Sequence, residues 1–544
     1  MKQYGNILAV IPARGGSVGV PRKNLRSLAG SPLISYSIRT ALNSRYEIDV
    51  CVSSDDAEIL QLSKQLGAIP LLRDATLADG KTTLDPVIYD AYRKICEAKG
   101  KDYQLIITMQ PTSPLLQTST IDDAIDYMLS HPEIDTLISA RETTHLTWRY
   151  ENGQYLPNYE KRVNRQELTP TYTETGGFLI TRNTVISEHG RIGKSVSLYP
   201  LDKGEAIDID SFEDFALAEF WSSRKKILFT VAGNREIGLS HARRALLLAN
   251  KFTCSDITFL VTKDSQLAYD TIRENKYPVT WQQSDNLADD IIAHQPDIVI
   301  NNILDTDIPF VRLLQQNGIK VINMEDNGAG KHFADLSINA LAPSPSQGNE
   351  HNGISYYCLN DYFLHAQPWK GVQNQVQSIL IYFGGQDRDN LTGRITRLLI
   401  PICKEQGIQL CVLPGIGYSD NDSLRALGDV TVYTTADLPR QMLTADIIIT
   451  SPGRTALESA SLGIPTIIIR HGMKDTTPAL FTMANGYADA GNATITSDAQ
   501  LLSLIESIIN EPQTRVFMHH MMDSLDVKRG INKVIKLIQN IINS

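Results

Sequence analysis

Ile7 to Ile11 form an unbroken apolar run of strand length. A strand with no polar face must be covered on both sides, as happens inside a parallel α/β sheet. Similar runs recur at 49–53, 104–108 and 135–139, and stretches with helical spacing lie at 56–66, 85–98, 119–130 and 212–223. Ser31-Pro32 reads as the N-cap and first residue of a further helix, with Ile34, Ile38, Ala41 and Leu42 on one face. The alternation predicts a mostly parallel, Rossmann-like sheet whose ligand loops sit at the strand carboxyl ends. Residues 141–176 break it with polar and aromatic residues of no clear period, and read as an inserted arm or lid.

The alternation restarts after Arg224. Ile227 to Val231 is a new apolar strand, with further strands expected at 257–262, 297–300 and 319–323. A polar stretch at 364–377 reads as a linker. Ile379 to Phe383 opens a third block, with strands at 409–413, 429–433, 446–450 and 465–469 and helices closing the chain. A length of 544 residues calls for two to four domains. The expected organisation is α/β throughout: a first domain over 1–224, then a two-lobed domain over 225–544 with lobes at 225–365 and 378–544.

The first strand empties into Arg14, Gly15, Gly16, Ser17 and Gly19, then Lys23 and Asn24. Glycines leave backbone N–H groups bare, and the cations add charge, so a polyphosphate can sit there. A plain basic turn would read the same way, and neither GxxxxGK[ST] nor GxGxxG is present. Asp208 and Asp210 are two apart in Ile-Asp-Ile-Asp, so in a short strand both carboxylates face one way, toward a magnesium ion. The alternative is that they cap the helix beginning near Ser211.

Composition excludes several classes. A net charge of −10, from 51 basic and 61 acidic residues, argues against nucleic acid as the main partner. The six cysteines show no CxxC and no Cys/His cluster, so neither a disulfide framework nor structural zinc is expected. No apolar run is long enough to span a bilayer and no export signal is read at the start of the sequence, so a cytoplasmic location is expected.

The segment ARGGSVGVPRKNLRSLAGSPLISYSI resembles the signature of the acylneuraminate (CMP-sialic acid) cytidylyltransferase family, usually ARGGSKGIPRKN. VSSDDAEI at 52–59, RDATLADGKTT at 73–83, QPTSPL at 110–115 and IDIDSFEDFALAE at 207–219 match further blocks in order. The resemblance implies transfer of CMP from CTP to a free acid sugar, with release of pyrophosphate. It implies that Arg14, Gly16, Ser17 and Gly19 hold the phosphates, with Lys23 and Asn24 as the second half of that loop. Arg73 and Gln110 match positions near cytosine and ribose, and Asp208 and Asp210 match magnesium ligands. Arg165 and Gln166 match an RRQDLP stretch that meets the sugar carboxylate. Synthetases of this family are commonly homodimers, with the arm at 141–176 as a candidate interface. Val18 stands where the family has lysine, removing a charged contact worth ~1–3 kcal/mol. TETGGFLI from Thr173 replaces the family's NGAIY, so the sugar-facing wall is altered.

In the second half, IGLSHARR at 237–244 resembles the IGTGHVMR loop of the UDP-sugar hydrolase of the pseudaminic acid pathway and its spore-coat polysaccharide relatives. VINMEDNGAGKHFADLSINAL at 321–341, LIYFGGQDRDNLT at 380–392 and TSPGRTALESASLGIPTIII at 450–469 resemble further blocks of that group, and the last also echoes GT-B transferases. This resemblance implies a two-lobed GT-B fold binding a nucleotide-sugar. Gly384, Gly385, Ser451 and Gly453 would face the diphosphate, Glu458 would hold ribose, and His241 would be a water-activating base. On its own, a histidine at a helix start reads as a surface or capping residue.

These expectations combine into a bifunctional enzyme of sialic-like acid biosynthesis: a CTP-dependent cytidylyltransferase fused to a nucleotide-sugar hydrolase or transferase. Two alternatives stay open. The acceptor could be another acid, such as 3-deoxy-octulosonate or a phosphonate, or a disabled first domain could scaffold a nucleotide-sugar-binding module.

Overall fold

The structure is a computed structural model that describes residues 6–17, 19–78, 82–385, 387, 389–415, 418, 420–434, 438–471 and 479–544. The chain divides into two compact units, Met1–Arg224 and Lys225–Ser544.

The first unit is built on a seven-stranded sheet. Its order is Val196–Pro200, Thr136–Glu142, Tyr172–Arg182, Leu105–Thr108, Ile7–Pro12, Ile48–Ser54 and Ile69–Leu72. Tyr172–Arg182 runs antiparallel to both neighbours, and the remaining pairs are parallel. The apolar strand Ile7–Pro12 is central because it needs cover on both faces. Ala9 and Ile11 face a core shared with Ile34, Ile38 and Ile125, and Leu8 and Val10 face one shared with Ile88 and Ala91. Ser31 and Pro32 form a short strand instead of opening the helix, which starts at Leu33 with Pro32 at its N-cap. The stretch 141–176 contains a two-stranded antiparallel hairpin, Trp148–Glu151 with Gln154–Pro157.

The second unit holds two parallel sheets. The first has the order Val279–Trp281, Asp256–Val261, Lys226–Val231, Ile298–Asn302, Lys320–Met324, Leu336–Asn339, Glu350–Asn352. The second has the order Thr431–Val432, Gln409–Val412, Ser378–Tyr382, Ile447–Thr450, Thr466–Arg470, Tyr487–Asn492. In each, the chain starts at an inner strand, winds to one edge, then returns to wind toward the other. These are two doubly wound lobes, as a GT-B arrangement requires, and ligands bind where the winding reverses. The strand expected at 429–433 is only Thr431–Val432.

Two details show how the lobes are tied. The last helix, Gly530–Asn543, returns to the first lobe and buries Val534 and Ile538 against Ile227, Phe229 and Ile300. The stretch read as a polar linker is anchored. Arg515, 1% exposed, donates to the carbonyls of Gln373 and Asn374 at 2.8 and 3.0 Å and to those of Ile508 and Ile509 at 2.7 and 2.5 Å. Four carbonyl dipoles thus compensate a buried charge that would otherwise cost several kcal/mol.

Candidate functional site

In the first unit, the loop after Ile7–Pro12 lies at the carboxyl edge of the sheet between two parallel neighbours. Two of its glycines, Gly15 and Gly19, allow close packing, whereas Gly16 faces open space. A Cβ at Gly19 would come within 2.2 Å of the Asp210 carbonyl oxygen, and one at Gly15 within 2.8 Å of an Asp56 carboxylate oxygen. The Gly15 N–H donates to Asp55 at 2.9 Å, and the Asn24 amide donates to the Arg14 carbonyl at 2.9 Å, folding the two halves of the loop together. Arg14 and Gly16 are exposed and Ser17 is half-buried. Val18 lies outside the described residues.

Lys23 joins the loop to the acidic segment. Its Nζ donates to the Ile209 carbonyl at 2.6 Å and to Asp210 Oδ1 at 3.2 Å. Residues 207–210 are not a strand. They run without sheet partners, held by the Ile209 N–H donating to the Thr112 carbonyl at 2.8 Å. Ile207 and Ile209 are nevertheless buried, so the two aspartates alternate with core residues as the spacing implied. Neither aspartate caps the following helix. Ser211 does so, in a capping box with Asp214.

The aspartates differ. The Asp210 side chain is 81% exposed. Asp208 Oδ1 is buried and has no hydrogen-bond partner among the described residues. A buried carboxylate oxygen without a donor is costly, and it suits a hard cation. Arg73 is buried on the same edge. Its guanidinium donates to the Ser53 carbonyl at 2.7 Å and to Ser53 Oγ at 3.3 Å. Burial, with help from Arg14 and against Asp55, lowers its pKa. The Gln110 N–H donates to the Gly176 carbonyl at 3.0 Å, setting Gln110 at the end of the neighbouring strand. Arg165 and Gln166 lie apart, exposed on a 3-10 turn at Arg165–Glu167, and no hydrogen bond among the described residues joins them to the loop.

In the second unit, a cavity of about 580 Å3 opens between the two lobes. It brings together His241 from the first lobe with Gly384, Gly385, Ser451, Gly453 and Glu458 from the second. The topology explains the meeting. Gly384-Gly385 and Ser451–Gly453 follow the two strands at which the second sheet reverses its winding, and His241 follows the corresponding strand of the first. Gly384 has φ +81°, and its carbonyl lies so close to Gly415 that a Cβ there would approach it to 2.2 Å.

The cavity floor carries charges that motif reading passed over. Glu325 Oε2 accepts a hydrogen bond from Arg454 Nη2 and forms an ion pair with Arg244 Nη1, each at 2.5 Å. Arg454 begins the helix Arg454–Leu462 of the second lobe, so this carboxylate bridges the lobes. Burial opposes ionisation of Glu325, but the two guanidiniums outweigh it and hold its pKa down to about 2. Its φ of +56° is the left-handed region, unusual for a side chain of this size. The sequence cue was available in MEDNG, where an acid precedes Asp-Asn-Gly turn chemistry.

Arg244 also donates through Nη2 to His241 Nδ1 at 3.2 Å, and through Nε to Asn302 Oδ1 at 2.8 Å. Arginine has no acceptor, so the contact makes Nδ1 the acceptor and leaves the histidine proton on Nε2. Burial, then Arg244 and Arg454, lower the His241 pKa to about 4. His241 is therefore neutral near pH 7, with Nε2–H as a donor. Burial raises Glu458 to about 7 against the opposing pull of Arg454, Arg243 and a hydrogen bond from Tyr357.

Together these features describe a nucleotide-handling α/β unit followed by a doubly wound pair of lobes with a polar interlobe cavity. The cytidylyltransferase family model matches residues 8–183. Over 220 residues the chain is 33% identical to the pseudaminic acid cytidylyltransferase of Campylobacter jejuni, covering 39% of this chain and 94% of that protein. Over 227 residues it is 28% identical to the CMP-N,N'-diacetyllegionaminic acid synthase of the same species, covering 41% of this chain and 97% of that protein. A solved structure, MurG of Acinetobacter baumannii, aligns with 58% of this chain and 99% of its own at 15% identity and a TM-score of 0.44. Through its first unit, the chain belongs to the cytidylyltransferase family. Among the described residues, no helix is long and apolar enough to cross a membrane.

Proposed function

We propose that the first unit transfers CMP from CTP to a nonulosonic (sialic-acid-like) acid sugar, releasing pyrophosphate. The observation that carries this reading is the Lys23 bridge, which sets a glycine- and arginine-bearing loop against Asp208 and Asp210 in a chain of this family. The two relatives are named for two different acid sugars of one class, which supports the class and leaves its member open.

In this reading the sugar's anomeric hydroxyl attacks the α-phosphorus. The bond to the β-phosphate oxygen breaks, pyrophosphate leaves, and the hydroxyl proton is lost to solvent. Arg14, the N–H groups of the glycine loop and Lys23 hold the triphosphate, so that catalysis is chiefly positioning and charge neutralisation. Arg73 and Gln110 border the nucleoside. Arg165 and Gln166 meet the sugar carboxylate once the arm folds over it. Asp208 and Asp210 would hold a magnesium ion, which offsets the charge developing on the phosphates. A homodimer through the arm and a place in the cytoplasm belong to the same proposal. Its test is pyrophosphate release from each of CTP, UTP and ATP with an N-acylneuraminate, a pseudaminate and a legionaminate. Release confined to CTP plus one such acid supports it, and equal use of ATP counts against it.

The second unit, in our reading, binds a nucleotide-sugar in the interlobe cavity, with Glu458 on the ribose and the two glycine turns on the diphosphate. The Arg244–His241 contact favours His241 as a neutral donor to a ligand oxygen over His241 as a water-activating base, because its free lone pair is already engaged. Hydrolysis through His241 would require that contact to break. Calorimetry of the whole chain with UDP and UDP-sugars tests the binding, and failure of both to bind removes it.

A further inference from the structure

Three buried oxygens in the first unit are left without partners at one place. Thr112 Oγ1, Ser113 Oγ and Asp208 Oδ1 are each buried and unpaired among the described residues. They converge on Gly176. A Cβ built there would lie 2.9 Å from the Thr112 hydroxyl, 3.0 Å from the Ser113 hydroxyl and 3.1 Å from the Asp208 oxygen. The side chains come from two segments clasped by the Ile209 N–H on the Thr112 carbonyl, and Gly176 is held opposite by its carbonyl's bond to the Gln110 N–H. Ser113 is 2% exposed, so its hydroxyl cannot turn to bulk water for a partner.

Leaving a buried polar group unsatisfied is costly, and more so for a charged one. Three together, on a backbone that spends a glycine to keep the space open, mark a place that something else fills. The donor set is all oxygen, with one carboxylate and two hydroxyls. Magnesium prefers hard oxygen donors and takes few protein ligands, leaving the rest of its octahedron to water and substrate phosphates. Asp210, by contrast, is exposed and already paired with Lys23.

We propose that Thr112 and Ser113 add their oxygens to the Asp208–Asp210 pair, so that the divalent cation of cytidylyl transfer is held over Gly176, with Asp210 also anchoring Lys23. This deepens the cytidylyltransferase reading and rests on it. In that role Thr112 and Ser113 are ligands that contact the cation directly, and Gly176 is the position whose lack of a side chain leaves it room.

The experiment measures Mn2+ binding to the full chain by electron paramagnetic resonance, with a non-hydrolysable CTP analogue present. Calorimetry follows the same analogue without metal. Ser113→Ala, Thr112→Val and Gly176→Ala should each weaken Mn2+ binding at least about tenfold and leave metal-free affinity for the analogue within about twofold. Thr112→Ser, which keeps the hydroxyl, should restore wild-type Mn2+ affinity. Gly176→Ala has no positive φ to strain but crowds three oxygens at 2.9, 3.0 and 3.1 Å, so where it folds poorly the near-isosteric Thr112→Val and Ser113→Ala carry the test. Unchanged Mn2+ affinity in Gly176→Ala and Ser113→Ala, with wild type binding both analogue and metal, overturns this proposal alone. A wild type that binds neither overturns the cytidylyltransferase reading with it.

Discussion

Replacing Glu325 by Gln removes the one carboxylate that two guanidiniums share beneath the interlobe cavity. Each contact is 2.5 Å long, and the Glu325 side chain is 13% exposed. At an effective dielectric of about 20, unit charges about 4 Å apart attract by roughly 4 kcal/mol. Removing one member of a buried ion pair costs about 3–5 kcal/mol, since the survivor's charge stays buried. Glutamine can still accept one hydrogen bond, so the lower end applies, about 3 kcal/mol at pH 7. Against a typical stability of about 5–15 kcal/mol, that is a fifth or more of the total. Urea unfolding followed by near-UV circular dichroism reads it. The sign with pH follows from the depressed pKa: ionisation of Glu325 stabilises the fold fully above the ordinary value of 4.5, and that stability is lost as pH falls through about 2. The gap between wild type and Glu325→Gln should therefore be flat above 4.5 and shrink below it. A loss under about 1 kcal/mol, or a gap that grows on acidification, would refute the buried-triad account.

Asp208→Asn should lower kcat for pyrophosphate release by about two or more orders of magnitude, because the charge left on Asp210 is already engaged by Lys23; turnover near wild type would remove Asp208 from the site. Asp210→Asn should also lower it through loss of the Lys23 anchor. His241, lowered from 6.5 to about 4, stays neutral in the fold, so its contribution is present above 6.5 and lost as pH falls through 4. That is worth about 3 kcal/mol, and His241→Asn should flatten the acid limb of an otherwise matched stability profile. Glu458, raised to about 7, is the reverse case: its protonated form is favoured in the fold, and that stability is present below 4.5 and lost as pH rises through 7. Because the ionised carboxylate accepts from two ribose hydroxyls, and more strongly than the protonated acid, UDP affinity measured by calorimetry should rise between about pH 6 and 8, and a flat profile would detach Glu458 from the ligand.

The parallel core was legible because buried strands are apolar throughout. Ile7–Pro12, Lys226–Val231 and Ser378–Tyr382 each announce a sheet, and the glycine turns after them announce its ligand edge. Tyr172–Arg182 escaped notice because it is antiparallel and crosses from an exposed arm into the core, so its pattern changes midway. Val196–Pro200 alternates half-buried and exposed positions and carries little apolar signal. Ile-Asp-Ile-Asp looked like a strand because its burial alternates, yet alternation reports only which side chains point inward, and here no sheet partner is present. At the candidate sites, motif spacing named the loop, Asp208, Asp210 and the interlobe turns. It could not reach Glu325 or the unpaired oxygens of Thr112 and Ser113 beside Gly176, since those depend on which atoms meet once distant segments pack.

The most direct measurement is mass spectrometry of the product formed by the purified full chain from CTP, Mg2+ and each candidate nonulosonic acid, with pyrophosphate release followed in parallel. The account predicts a CMP-sugar in one-to-one ratio with pyrophosphate for at least one such acid, and none when Asp208→Asn replaces the wild type. Pyrophosphate without a CMP-sugar, or no product with any acid of this class, would contradict it.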